Sequence, residues 1–142
     1  MKTNILTLAM SLLLATACQA QSNKEEKLVK QVIMNFSSFG DQQDADGLDK
    51  LLDANFRIVM NQLFGSKEVS VMDKTTYLEK IRTKEFGGDK REVKIQNLQI
   101  DGKTALARVT LKGTKMTMVS MLQLIKNHAG HWQLVSDLPT IL

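Results

Sequence analysis

Few side chains in this chain could carry proton or group transfer. In 142 residues there are two histidines, one tyrosine and one cysteine. His128 and His131 flank Ala129-Gly130 with no carboxylate beside them. They read as exposed turn residues and not as a metal pair or a general base, since both roles need partners that orient the ring. Cys18 follows an apolar run with no base nearby, so it is not a nucleophile, and a single cysteine excludes a disulfide framework or a cysteine-based zinc site. Tyr77 and Asp137 are what remains for acid–base work. No catalytic pair, metal or cofactor is assigned. The polar residues that could instead bind a ligand are Arg108, Thr110, Thr117, Gln123 and Ser136, with Tyr77 and Trp132. Whether they converge depends on the elements that carry them.

The first residues belong to an address. Lys2 precedes the apolar run Ile5–Leu14, and small residues follow from Ala15 to Ala20. This is the order of a secretory signal, and ten apolar residues are too few to span a hydrocarbon core of ~30 Å. The run Leu14-Ala15-Thr16-Ala17-Cys18 resembles a bacterial lipobox, with Ala15 where a large aliphatic residue is usual. Residues 1–20 are therefore assigned as a signal peptide, either ending in lipidation of Cys18 or cleaved after Ala17 or Ala20. Residues 21–142 form one domain, about 120 residues, which needs no staple to stay folded. The expected location is periplasmic or secreted, with a lipid anchor on Cys18 as the only membrane attachment.

Hydrophobic residues make up 43% and charged ones 24%, a composition that rules out a disordered chain. The net charge of +4 is spread among acids, as in Lys24-Glu25-Glu26-Lys27, and the aromatics are not interleaved with Arg or Lys. Nucleic acid is therefore not expected as a partner.

Hydrophobic spacing then places the elements. Leu28, Val29, Val32, Ile33, Phe36 and Phe39 form one helical stripe, predicting a helix over 24–39 that stops at Gly40. Asp44 caps a short helix to Leu52, and Asp73 caps a third from Lys74 to about Lys84. Strands are expected over 55–62 and 67–72. Four longer ones follow over 92–100, 103–112, 115–127 and 131–138, with two-residue turns at Asp101-Gly102 and Gly113-Thr114. Helices segregated from an antiparallel run of strands define an α+β domain.

The N-terminal helix, the Phe39-Gly40-Asp41 step, the run Leu51-Leu52-Asp53-Ala54-Asn55-Phe56 and the terminal Gly130-His131-Trp132-Gln133-Leu134-Val135 resemble the nuclear transport factor 2-like superfamily. The likeness is to its secreted bacterial branch, often labelled putative lumazine-binding proteins. It implies a strongly curved, mostly antiparallel mixed sheet of cystatin-like form, a cone closed by three helices around an apolar pocket. It also implies a homodimer through the sheet. Enzymes of that superfamily, such as ketosteroid isomerase, keep pocket acids or tyrosines, and here the first helix offers Phe36 and Phe39 instead.

Strand parity divides the sheet into two faces. One carries Val93, Ile95, Leu106, Arg108, Thr110, Thr117, Val119, Met121, Gln123, Ile125, Trp132, Leu134 and Ser136. The other carries Ala107, Val109, Leu111, Met116, Met118, Ser120, Leu122, Leu124, Val135 and Asp137. Trp132 assigns the first face to the helices, making its polar members ligand contacts and Arg108 the counter-ion of a small apolar or anionic molecule. The second face is too apolar for solvent and is assigned to a partner copy, which leaves Asp137 outside. Three functions follow in order of preference. The first is an exported, non-catalytic pocket protein. The second is a lyase or isomerase using Tyr77 or Asp137. The third is an interaction module that uses the sheet.

Overall fold

The computed structural model describes residues 4–142, with side chains from residue 21 onward. Cys18 and the side chains of the signal segment lie outside the described ones. In chain order the elements are α1 (Asn4–Gln42), α2 (Ala45–Leu51), β1 (Leu52–Asn61), β2 (Val69–Asp73), α3 (Lys74–Arg82), β3 (Glu92–Asp101), β4 (Thr104–Lys112), β5 (Thr117–Lys126) and β6 (Trp132–Ile141). No helix among the described residues is long and apolar enough to cross a membrane.

The helix ends follow local chemistry. Asp44 accepts from the Gly47 amide at 2.9 Å and Asp73 from the Thr76 amide at 2.8 Å, so both expected N-caps are made. The expected stop at Gly40 is not where α1 ends. Gly40 stays helical, and Gln43 turns the chain in the left-handed region at φ 56°, with the Asp44 amide donating to the Phe39 carbonyl at 2.8 Å. A Cβ on Gly40 would fall 2.7 Å from Nη2 of Arg91, so this glycine leaves room for a side chain from across the fold.

The six strands form one sheet in the order β2-β1-β6-β5-β4-β3, antiparallel except for the β1–β6 pair, with the helices on one face. Three irregularities bend it, because an extra residue on one strand increases local twist. They lie in β1 between Leu52 and Arg57 against β6, in β3 between Ile95 and Asn97, and in β6 at Val135, where Leu124 pairs with Leu134 but Gln123 with Ser136.

These bulges correct the face assignment. Ala105, Ala107, Val109, Leu111, Ser120, Leu122 and Leu124 are buried under the helices, together with Trp132 and Leu134. Pairing of Arg108 with Met121 and Thr110 with Val119 keeps the expected parity of β4 and β5, but that set faces away from the helices. The bulge in β6 puts Trp132 and Leu134 on the inner face with Leu124, while Asp137 keeps its place opposite Leu122 and so faces inward, not outside as expected. The bulge in β3 likewise sets Val93 and Ile95 inward, opposite Leu111 and Val109. The apolar second face is therefore covered by this chain's own helices.

The core is built around aromatic rings. Tyr77 lies 5.7 Å from Phe56, 6.3 Å from Phe36 and 6.4 Å from Phe86, centroid to centroid, in tilted contacts typical of buried aromatics. The far end of α1 is fixed separately. Trp132 Nε1 donates to Glu25 at 2.7 Å and Lys126 Nζ reaches the other carboxylate oxygen at 2.8 Å. These bonds, from Lys126 first and then Trp132, hold the Glu25 carboxyl below its usual range.

Two glycines separate conformational strain from close approach. Gly102, at φ 59°, has open space around it, whereas a Cβ on Gly87, at φ 80°, would clash with the Gly40 carbonyl oxygen. Gly102→Ala should cost about 1 kcal/mol from the left-handed backbone alone. Gly87→Ala should cost a further ~1–3 kcal/mol, because backbone must shift. Urea denaturation of the two variants measures the difference, and equal losses would contradict the packing described.

Candidate functional site

Beneath the helices, three polar side chains are buried in an otherwise apolar interior. Asp137 (β6), Ser120 (β5) and Ser37 (α1) are 6%, 0% and 1% exposed. Asp137 Oδ1, Ser120 Oγ and Ser37 Oγ have no hydrogen-bond partner, although buried polar atoms are nearly always satisfied. Ser120 and Asp137 sit on neighbouring strands, opposite Pro139 and Leu122 respectively, and so lie diagonally on the same face. The Ser120 hydroxyl is close enough to favour the ionised carboxylate in part, yet the pair falls short of a normal hydrogen bond.

Burial dominates the chemistry of Asp137. Removal from water pushes its pKa up to about 7, against the smaller opposing pulls of Ser120 and the Arg91 charge. The same cause drives the Tyr77 hydroxyl well above its ordinary range, partly offset by Arg91 and reinforced by Asp137 and Asp41. Tyr77 is therefore a hydrogen-bond donor at any working pH, and Asp137 keeps its proton up to about neutrality.

Arg91 is the charged member of the group. Its Nε donates to Asp41 Oδ1 at 2.6 Å, its Nη2 to the Ser37 carbonyl at 3.0 Å, and its backbone amide to Asp41 Oδ2 at 3.0 Å. The pair is largely buried, at 15% and 13% side-chain exposure, so its charges are matched to each other and not available to an anion. The Cβ position of Gly40 lies 3.9 Å from the Tyr77 hydroxyl and beside the Arg91 guanidinium, which places all three at the end of α1.

The residues nominated from sequence do not converge. Arg108 and Gln123 are exposed on the outer face. Gln123 lines a shallow depression of about 390 Å³ there, with Leu106, Ile125 and Val135. Thr110 donates to Gln96 at 3.0 Å on that face, and Thr117 sits half-buried opposite Lys112. Ser136 is buried on the outer side, between Arg57 and Gln123. Tyr77 and Trp132 are both internal, but Trp132 serves Glu25 some 15 residues, about 20 Å, along α1 from Gly40. His128 and His131 are exposed. Among the described residues, no group of three His, Cys, Asp or Glu side chains could hold a metal ion.

Ser37, Asp41, Arg91 and Ser120 were missed. Ser120 had a signal, as the one polar residue in the alternating run Met118, Ser120, Leu122, Leu124. The Asp41–Arg91 pair had none, because its members are 50 positions apart.

Residues 24–138 match the family model described as "Putative lumazine-binding". No curated protein matches the chain. Solved structures share the fold at low identity. One, an NTF2-like protein of unknown function from Silicibacter pomeroyi, has TM-score 0.74 and 13% identity, over 85% of this chain and 98% of that one. Another, of the same description from Shewanella baltica, has TM-score 0.72 and 16% identity, over 84% and 94%. A third, an NTF2-like protein with a cystatin-like fold from Novosphingobium aromaticivorans, has TM-score 0.68 and 14% identity, over 89% and 88%.

The buried carboxyl has a testable signature. A folded-state pKa of about 7 above an unfolded value near 3.8 means that Asp137's contribution to stability is complete below pH ~4 and is lost as pH rises through 7. The loss is on the order of 4 kcal/mol at most. Asp49, Asp73 and Asp89, each held below the usual range by hydrogen bonds, act in the other window and lose their contribution below pH ~4. The stability of the native chain relative to Asp137→Asn should therefore decline between pH 4.5 and 8, a window bracketing about 7, in urea titrations. A difference independent of pH would contradict the assignment.

Proposed function

From the premise that the chain belongs to the family described as "Putative lumazine-binding", within the NTF2-like fold, we propose that it is an exported, non-catalytic small-molecule-binding protein. The observation that carries the reading is the set of unpartnered buried oxygens on Asp137, Ser120 and Ser37, with Tyr77, packed among Phe36, Phe56 and Phe86, near enough to feel the Asp137 charge. A ligand site combines an apolar cavity with a few polar groups that fix orientation, and in this reading these groups are the polar part. The polar groups choose the ligand's chemistry. A protonated carboxyl, a phenol and two hydroxyls suit a neutral, flat molecule that offers both donors and acceptors. An anion would find Arg91 already neutralised by Asp41. A pteridine-dione such as lumazine has the required character.

Export rests on the Lys2 and Ile5–Leu14 pattern, with Cys18 as the candidate lipid anchor. A homodimer through the outer face of the sheet is part of the same reading. Val69 and Val71 are 61% and 63% exposed there, and Leu106 and Leu138 also face solvent in the single chain. Apolar groups of this kind on one face mark an interaction surface.

One observation favours a second reading. A carboxyl poised near pH 7 beside a phenol is the arrangement that acid–base lyases and isomerases require. Binding without turnover is preferred because the described residues place no second group of matched pKa beside Asp137.

Native mass spectrometry of the full chain, purified from a bacterial envelope and then incubated with lumazine, reads these points together. The expected result is a dimer carrying one small molecule per chain, absent from Asp137→Leu and Tyr77→Phe, with no change in the mass of the released molecule. A chain that takes up neither a copurified species nor lumazine contradicts the binding function. A released molecule chemically altered by the native chain, but not by Asp137→Asn, supports the enzyme. For the dimer, Val71→Asp and Leu138→Asp should each convert it to monomer in sedimentation velocity, and a monomeric native chain would overturn the interface.

A further inference from the structure

The two edges of the sheet are built differently. At one edge, β3 is interrupted by the irregularity between Ile95 and Asn97 and carries Glu92 and Lys94. A bulge and charges of this kind stop another strand from adding to an edge. At the other edge, β2 has neither. Its register against β1 is unbroken from Val69 to Asp73, and Val69-Ser70-Val71-Met72 contains no charge and no proline. No strand lies beyond it among the described residues, and Val69, Ser70 and Val71 are exposed. A regular, uncharged edge with apolar side chains is a template for pairing with another strand.

The hydrogen-bond pattern fixes which backbone groups are free. The Gln62 amide donates to the Glu68 carbonyl at 3.3 Å, in line with the register that pairs Asn61 with Val69. Antiparallel alternation then turns the backbone groups of Ser70 and Met72 toward β1 and those of Val69 and Val71 away from it. Outward-turned residues pair with outward-turned residues, so odd positions must meet odd positions. One such register makes the segment complementary to itself. With Ser70 opposite Ser70 on a two-fold axis, each Val69 lies beside the partner's Val71, and each Lys67 beside the partner's Asp73. Lys67 and Asp73 are exposed, and Asp73 caps α3 through Oδ1, which leaves Oδ2 for a cation. Moving the axis to Val71 sets Val69 against Asp73, and moving it to Val69 sets Lys67 against Val71. Both shifts lose the match.

We propose that β2 is a docking edge for a second copy of this chain, with the two β2 strands paired antiparallel about Ser70 so that two six-stranded sheets become continuous. A contact between identical surfaces requires this kind of self-complementarity. The copies meet side by side, which makes the contact separate from the face-to-face dimer proposed above. Ser70 shares its parity with the buried Met72, so its side chain points to the helix side of the sheet, away from Val69 and Val71. A face-to-face pair therefore cannot bring two Ser70 side chains together.

Disulfide trapping tests the register. Cys18 is the only cysteine, so in the full chain carrying Cys18→Ser an introduced thiol is the sole one. In the proposed pairing the two copies of position 70 form a non-hydrogen-bonded pair with Cα atoms about 4.5 Å apart, within disulfide range. The two copies of position 68 lie about 13 Å apart along the strands. Under diamide, Ser70→Cys should form a covalent dimer about tenfold faster than Glu68→Cys. Adding Lys67→Asp should slow the Ser70→Cys reaction by about tenfold, since two like-charge pairs replace two opposite ones. Adding Leu138→Asp, on the outer face and away from the edge, should leave the rate unchanged. Equal rates at positions 70 and 68 would mean random collision and overturn the proposal. So would a disulfide formed in a bacterial envelope to a chain of any other mass, which would seat a different partner on the edge. Loss of the cross-link in the Leu138→Asp chain would make the edge contact a consequence of the face-to-face dimer and overturn it as a separate surface. That dimer, and the binding of a small molecule, keep their own tests.

Discussion

A β-strand presents alternate residues to a core, and a single extra residue reverses the alternation for everything beyond it. In this protein that residue is Val135. Before it, Trp132 and Leu134 face the helices. After it, Asp137 does so as well, where unbroken alternation would have left it on the far side. A carboxyl is thereby carried into a place where water cannot solvate its charge, and its affinity for a proton rises accordingly. The burial of Asp137 beside Trp132 and Leu134 on one face, and the pH response that follows from it, descend from this one irregularity.

The rest of the fold holds that carboxyl's surroundings in place from two ends of one helix. Near its start in the folded body, α1 is pinned by Glu25 to Trp132 and Lys126. Near its end it is tied by Asp41 to Arg91. Between them, Val29, Ile33 and Phe36 pack on the sheet. The two polar anchors differ in consequence. The first joins the helix to strands, while the second joins it to the connection before β3, which Asp89 in turn ties to the β4–β5 turn.

Local chemistry made part of this legible. Asp44 and Asp73 announce α2 and α3 because a carboxylate just before an apolar-periodic segment satisfies orphan amides. The grouping of Leu106, Arg108, Thr110, Val119, Met121 and Gln123 on one face also survives. The β4–β5 turn has four residues in place of the expected two, an even difference that leaves parity intact. Orientation was not legible. Both faces of β4 and β5 are apolar, so only Trp132 could orient them, and the bulge at Val135 severs Trp132 from that register. The NTF2-like fold was legible from diffuse likeness, while the Asp41–Arg91 pair depends on a contact that no local pattern encodes.

The central claim is that Asp137 is an interior acid that holds its proton up to neutrality. Carbon-13 NMR of the side-chain carboxyl, assigned by its loss in Asp137→Asn, measures this directly as pH is raised through the physiological range. The structure predicts a single titration with a midpoint of about 7. A midpoint at the ordinary carboxylate value, near 3.8, would place Asp137 in contact with water and contradict the account.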